Sequence, residues 1–316
     1  MSGRIGLLCP GQGSQFVGMG RDLIDAYPRA RETFEEANEI LGFDLAQLCT
    51  EGPDDRLTET RNAQPALLVH TVAVWRVIED LGLDVALAAG HSLGEFSAHV
   101  LAGTFSFADA VRVVRRRGEL MFESGSERPG TMAAILGLDD GTAEDVCARA
   151  SRGDEVVVPA NYNSSGQIVI SGDAAAVERA AELAREAGAK KVVPLNVSGA
   201  FHSPLMRSAA DGLRTVLAEA ELSTPAFPVV SNVTTEPVTD QEAVRALLVE
   251  QLTSPVRWAA SVERMRVEGV DRFLEPGPGK VLTGLLRRID RKASGRTVGT
   301  AEDVQALREE GGEGWS

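Results

Sequence analysis

The chain has 316 residues, 43% of them hydrophobic and 25% charged, and a net charge of −14. That length holds one large domain or two around a sizeable core, and the composition is that of a soluble globular protein. The acidic balance argues against a nucleic-acid surface, which needs clustered positive charge, and no stretch approaches the length of a membrane span.

The chain opens MSGRIGLLCPGQG, and its apolar run is too short for a signal peptide. Residues 5–9 (IGLLC) read as a buried strand, followed by the glycine-rich turn Gly11-Gln12-Gly13-Ser14-Gln15. Residues 21–41 have helical spacing, and Pro28 should break them into two helices. Residues 64–81 read as a long apolar helix with Pro65 in its first turn. A short strand at 85–89 precedes a helix at 95–102, and a further helix covers 107–122. The middle of the chain then alternates: strand 131–136, helix 142–150, strands 155–161 and 167–171, helix 174–186, strand 190–195. That β-α-β-β-α-β order is the ferredoxin-like pattern, so residues 128–196 read as a small domain inserted into a larger α/β domain of residues 1–127 and 197–316. The larger domain resumes with a strand at 227–231, helices near 241–252 and 256–268, a strand at 271–274 and a helix after Gly279. The ending EEGGEGWS reads as a mobile tail.

Chemistry points first to Gly90-His91-Ser92-Leu93-Gly94, a G-x-S-x-G between a strand and a helix, the context of a nucleophile elbow. The competing reading is an ordinary turn containing glycine and serine; the flanking elements favour the elbow. The N–H of Leu93 would point into the space above the serine, where an oxyanion could form. A serine nucleophile needs a base. His70 lies in the apolar helix and His99 on the helix after the serine, both suited to packing, while His91 adjoins the serine and points elsewhere. His202, in the small-residue loop NVSGAFHSPLM, is the best candidate. The three cysteines, Cys9, Cys49 and Cys147, are far apart and read as core residues in a reducing compartment; with no metal spacing present, a cytoplasmic, metal-free protein is expected. The first glycine turn lacks the third glycine of a dinucleotide fingerprint, and EPGPGKVL at 275–282 lacks the phosphate-loop spacing, so the latter reads as a turn opening a helix.

Five stretches in order, PGQGSQFVGMG, GHSLGEFSA, RRRGELM, GAFHSPLM and QLTSPVRW, resemble the malonyl-CoA:acyl carrier protein transacylases and the related acyltransferase domains of polyketide synthases. The resemblance spans residues 4–305 and implies an α/β-hydrolase-like domain carrying a ferredoxin-like insertion. It implies Ser92 as the nucleophile, His202 as general base, and the main-chain carbonyl of Gln251 as the group orienting that histidine. It assigns the backbone N–H groups of Gln12 and Leu93 to the oxyanion hole, and Arg117 to the free carboxylate of the malonyl group. Without the resemblance, an arginine in an RRR run reads as part of a solvated helix face, as Arg115 and Arg116 still do. Phe201 is implied in excluding an α-methyl group, and Gln64, Asn161 and His91 in lining the cavity. The implied reaction is ping-pong between malonyl-CoA and holo-acyl carrier protein, a generally acidic partner that carries its own phosphopantetheine. It needs no metal or redox cofactor, nucleic acid or membrane. A serine hydrolase such as a thioesterase would share the elbow.

Overall fold

The computed structural model describes residues 4–310. Its strands among those residues are β1 (Arg4–Cys9), β2 (Val85–Gly90), β3 (Gly130–Leu136), β4 (Val157–Ser164), β5 (Gln167–Asp173), β6 (Lys191–Pro194), β7 (Val229–Val230), β8 (Pro237–Val238), β9 (Val270–Pro276) and β10 (Ser294–Val298). They form two sheets in a mixed α/β architecture, one ordered β10-β9-β1-β2-β7-β8 and the other β4-β5-β3-β6. In the larger sheet β10 through β7 are parallel and only β8 is antiparallel. Parallel strands are covered by helices on both faces, which is why IGLLC in β1 is apolar without alternation and buried throughout. Ligand-binding loops in such sheets gather beyond the carboxyl ends of the strands. Gln12 follows β1, Ser92 follows β2 and Asn232 follows β7.

The smaller sheet is antiparallel throughout. Its chain order is strand, helix, strand, strand, helix, strand, as the pattern over 128–196 led one to expect. Helices Asp140–Ala150 and Ala174–Glu186 close a separate apolar core containing Ile135, Val146, Ile170, Val177 and Ala180. The strand β4 is also pinned to the larger unit, because Tyr162 N–H donates to the Val256 carbonyl at 2.9 Å and Val256 N–H donates to that of Ala160 at 2.8 Å.

Pro28 does divide the first helical region, into Arg21–Ala26 and Pro28–Leu41. Other boundaries move. The helix expected from residue 64 spans Thr60–Ile78, so Pro65 lies inside it rather than in its first turn. The carbonyl that loses its partner to this proline is that of Arg61, and it accepts instead from Arg115 Nη1 at 3.0 Å. Helix Phe107–Glu127 runs five residues past its expected end at residue 122. The strand expected at 227–231 shrinks to Val229–Val230. Helices Leu45–Glu51, Asp54–Thr58 and Arg207–Glu219 went unread in the sequence, as did β10 and helix Ala301–Glu309. Glu309 ends that last helix, while residues 311–316 of the expected tail lie outside the described residues. The turn at 275–282 does open a helix, Val281–Ile289: the buried Glu275 carboxylate accepts from Leu282 N–H at 2.9 Å and Thr283 N–H at 2.7 Å, capping it.

Candidate active site

Ser92 sits between β2 and helix Leu93–Leu101 with φ 51° and ψ −104°, a conformation a non-glycine residue adopts only when its surroundings impose it. Glycine at both flanks allows this. A methyl group on Gly90 would lie 1.8 Å from the Gly94 carbonyl carbon, and one on Gly94 would lie 2.0 Å from the Cys9 oxygen. The turn is held from behind by Asn232, whose Oδ1 accepts from Ser92 N–H at 2.8 Å and whose Nδ2 donates to the Gly90 carbonyl at 2.7 Å.

The loop after β6 brings His202 to the serine, 110 residues away in sequence, with Nε2 2.8 Å from Ser92 Oγ. His202 Nδ1 lies 2.8 Å from the Gln251 carbonyl oxygen. A carbonyl only accepts, so Nδ1 carries the proton and Nε2 is the free acceptor for the serine hydroxyl. Burial, and then the charge of Arg117, push the imidazole down to about 3, so it is neutral at pH 7.

Helix Phe107–Glu127 turns Arg117 inward while Arg115 and Arg116 stay half-buried at its sides, since successive helical residues point about 100° apart. Arg115, expected on a solvated face, is instead held against helix Thr60–Ile78 by donating to the Arg61 carbonyl and to Asn62 Oδ1. Arg115 and Arg116 pair with Glu119 at 2.8 and 3.1 Å. Arg117 is 1% exposed. Its Nη1 donates to Gln64 Oε1 at 2.9 Å, and its Nη2 donates to Gln251 Oε1 at 2.9 Å and to Ser92 Oγ at 3.1 Å. The guanidinium carbon lies 5.3 Å from the centre of the Phe96 ring. No carboxylate stands within ion-pair distance of it among the described residues, and its Nε has no acceptor there. Burial pushes it down to about 9, still charged at pH 7, with the more distant Glu95 opposing that fall.

Leu93 begins the helix after the elbow, and Gln12 follows β1, whose Cys9 carbonyl accepts from His91 N–H at 3.1 Å. The two proposed oxyanion donors therefore stand on adjacent strand ends. The Gln12 side chain is tied down by donating from Nε2 to Thr60 Oγ1 at 3.2 Å. Gln64, in helix Thr60–Ile78, is drawn into the site through Arg117 and also donates to Met121 Sδ at 3.2 Å. Phe201 is 6% exposed and packs in the main core next to His202. His91 makes no hydrogen bond to Ser92 Oγ or His202: its Nε2 meets Asn163 Oδ1 at 2.8 Å and its ring tilts against Trp258. Asn161 is buried but is not drawn into this network; the residue two places on, Asn163, is the one that reaches His91.

His70 and His99 are packed, as their positions suggested, with burial lowering them to about 4 and about 3. The three cysteines are free and buried. Among the described residues no cluster of histidine, cysteine or carboxylate could hold a metal ion, and no helix is long and apolar enough to cross a membrane.

Three participants escaped the sequence reading. Glu95, 2% exposed, accepts through Oε2 from Gln251 Nε2 at 2.7 Å and from Asn232 N–H at 3.2 Å. Asn232 braces the elbow, and the Gln251 side chain, not only its carbonyl, belongs to the site. A carboxylate one turn into the apolar helix LGEFSAHVL was a legible signal for the first; nothing local marked the other two.

Residues 7–305 match the family model described as acyl transferase domain. A malonyl CoA-acyl carrier protein transacylase of Bacillus subtilis is 46% identical over 311 residues, covering 97% of this chain and 98% of the relative. One from Escherichia coli is 50% identical over 281 residues, covering 89% and 91%. Among solved structures, a holo complex of a type II PKS acyl-carrier protein with its malonyl-transacylase matches with TM-score 0.94 and 44% identity, covering 97% of this chain and 99% of that one. The chain belongs to the acyl transferase family, among its malonyl-CoA:acyl carrier protein transacylases.

Proposed function

We propose that this chain transfers the malonyl group from malonyl-CoA to the phosphopantetheine thiol of holo-acyl carrier protein, through a malonyl ester on Ser92. The observation that carries this reading is Arg117: a buried guanidinium beside the Ser92–His202 pair with neutral partners only. An unpaired buried charge costs several kcal/mol, on the order of 3–5. A substrate with a free carboxylate would offset that cost, and guanidinium takes carboxylate through parallel hydrogen bonds.

In the first half-reaction His202 Nε2 takes the proton as Ser92 Oγ attacks the thioester carbonyl. The N–H groups of Leu93 and Gln12 receive the oxyanion. As the tetrahedral adduct collapses, the carbon–sulfur bond breaks and the imidazolium returns its proton to the CoA sulfur. In the second half-reaction His202 takes the carrier thiol's proton, sulfur attacks the malonyl ester, and Ser92 leaves with that proton. The Gln251 carbonyl holds the imidazole in the required tautomer throughout. Pairing of Arg117 with the substrate carboxylate also removes part of the charge that keeps His202 acidic, so the malonyl group itself raises the basicity of the catalytic imidazole.

Phe201 is read as the residue that crowds an α-methyl group, and His91, Gln64 and Asn161 as lining. The reaction calls for no bound cofactor, the pantetheine arm belonging to the partner. The finer fold reading is an α/β-hydrolase-like unit of residues 1–127 and 197–316 with a ferredoxin-like insertion of 128–196; the antiparallel order β4-β5-β3-β6 supports the second half of it. The test is to follow label from malonyl-CoA in the presence of holo-carrier protein. Label should move to the carrier; release to water with none on the carrier would make the protein a thioesterase.

A further inference from the structure

Gln251 is asked to do two jobs from one residue. Its main-chain carbonyl orients His202, and its side-chain Oε1 accepts from Arg117 Nη2. An amide side chain can present either end, and its oxygen and nitrogen exchange places by a half-turn of the last torsion. A guanidinium only donates, so only the oxygen end can face it. Something must therefore hold the Nε2 end on the opposite side. Three acceptors do so: Glu95 Oε2, the closest, at 2.7 Å, the Ser92 carbonyl at 3.0 Å and Asn232 Oδ1 at 3.5 Å. The same Glu95 oxygen takes Asn232 N–H at 3.2 Å, and Asn232 braces the serine turn. Glu95 is buried at the first turn of the helix that starts at the elbow, 156 residues from Gln251.

We propose that Glu95 is a positioning residue for malonyl selection: by accepting from Gln251 Nε2 it fixes the amide so that Oε1 faces Arg117 and seats the guanidinium beside Ser92. Without that acceptor Nε2 keeps only the longer bonds to the Ser92 carbonyl and Asn232 Oδ1, and this weaker hold lets the amide turn Nε2 toward Arg117 Nη2 in part of the population, donor against donor, which displaces the arginine from the place where it meets a substrate carboxylate. Burial raises the Glu95 carboxyl to about 7, so near neutral pH the group is present in both forms. A single oxygen makes both bonds, so the role requires the acceptor and not the charge. The proposal rests on the reading of Arg117 given above.

A merely structural carboxylate would, when removed, slow acylation of Ser92 by every acyl-CoA alike. A positioning residue acting through Arg117 would hurt malonyl more than acetyl. The experiment measures Ser92 acylation rates with malonyl-CoA and acetyl-CoA by intact mass, in wild type, Glu95→Leu, Glu95→Gln and Arg117→Ala. Glu95→Leu should lower the malonyl rate at least about tenfold more than the acetyl rate, the size expected for misplacing one buried charged hydrogen-bond partner. Glu95→Gln, whose amide oxygen can take both N–H groups, should keep the malonyl-to-acetyl ratio within about threefold of wild type. If Glu95→Leu does not fold, Glu95→Ala, which leaves room for water, takes its place with the same expectation. Equal loss of both rates in a folded Glu95→Leu or Glu95→Ala overturns the proposal, provided Arg117→Ala discriminates. A ratio as low in Glu95→Gln as in Glu95→Leu overturns it too. Equal loss in Arg117→Ala overturns the reading of the arginine, and this proposal with it.

Discussion

Arg117 Nη2 donates to Ser92 Oγ at 3.1 Å, on the same oxygen that His202 Nε2 approaches at 2.8 Å. A buried cation and a neutral base thus share one hydroxyl. The cation favours the alkoxide that forms as the base withdraws the proton, and it marks where a second negative group can sit.

Replacing Arg117 by alanine should therefore act on substrates unequally. Malonyl transfer loses the partner of its carboxylate, a loss of about 3–5 kcal/mol or a hundredfold and more in rate. Acetyl transfer has no carboxylate to pair and should fall far less, or rise. Rates with the two CoA esters decide it, and an equal fall would make Arg117 a purely structural residue.

Phe201 packs beside His202 with 6% of its surface exposed. Phe201→Ser should open that space and raise methylmalonyl-CoA turnover relative to malonyl-CoA by about tenfold, the range that small steric differences in a pocket provide. Competition between the two esters reads the ratio directly. An unaltered ratio removes Phe201 from substrate choice.

An acidic carrier approaching a chain of net charge −14 needs a local basic surface. Arg112, Arg115 and Arg116 are already paired with Asp109, Glu119 and Glu123. Lys190 and Arg288, distant in sequence, line one surface hollow of about 420 Å³. Reversing both to glutamate should raise the carrier's KM about tenfold at low salt and flatten its salt dependence, with the loss confined to the second half-reaction. Carrier kinetics as steep in salt as wild type would place docking elsewhere.

Stability should fall on mild acidification. His70, His91, His99 and His202 are all lowered by burial, so below about 6.5 the unfolded chain binds protons that the folded chain does not. Their contribution is present above pH 6.5 and lost as pH falls. Glu95, raised by burial to about 7, and Glu275, also raised by burial, work in the opposite direction as pH rises above about 4.5. Four groups against two leave a net loss of stability as pH falls from about 6.5 to 5.5. Urea midpoints across that interval should decrease toward acid; a flat or rising midpoint would mean that the histidines are solvated.

Ser92 was legible because its chemistry is local: strand, glycine-flanked turn and helix lie in consecutive residues. His202 was reachable by elimination among four histidines. Arg117 was visible only through family resemblance, since an RRR run looks solvated; the structure overturns that expectation for Arg115 too, which is half-buried and bonded to the Arg61 carbonyl. Asn232 and the Gln251 side chain had no such help, and the apolar helix around Glu95 marked its burial but not its partners. Their defining bonds join residues 134 to 159 positions apart, and no local pattern encodes which distant amide a buried carboxylate will meet. In the fold, the alternating middle segment was readable, while the short helices Leu45–Glu51 and Asp54–Thr58 are too brief to show a periodicity.

The central claim is that malonyl passes through Ser92. Intact mass of the protein after mixing with malonyl-CoA, before and after adding holo-acyl carrier protein, tests it most directly. One malonyl adduct should form on wild type, none on Ser92→Ala, and the adduct should disappear as malonyl-carrier appears. A full adduct on Ser92→Ala, or a wild-type adduct that persists with the carrier unmodified, would contradict it.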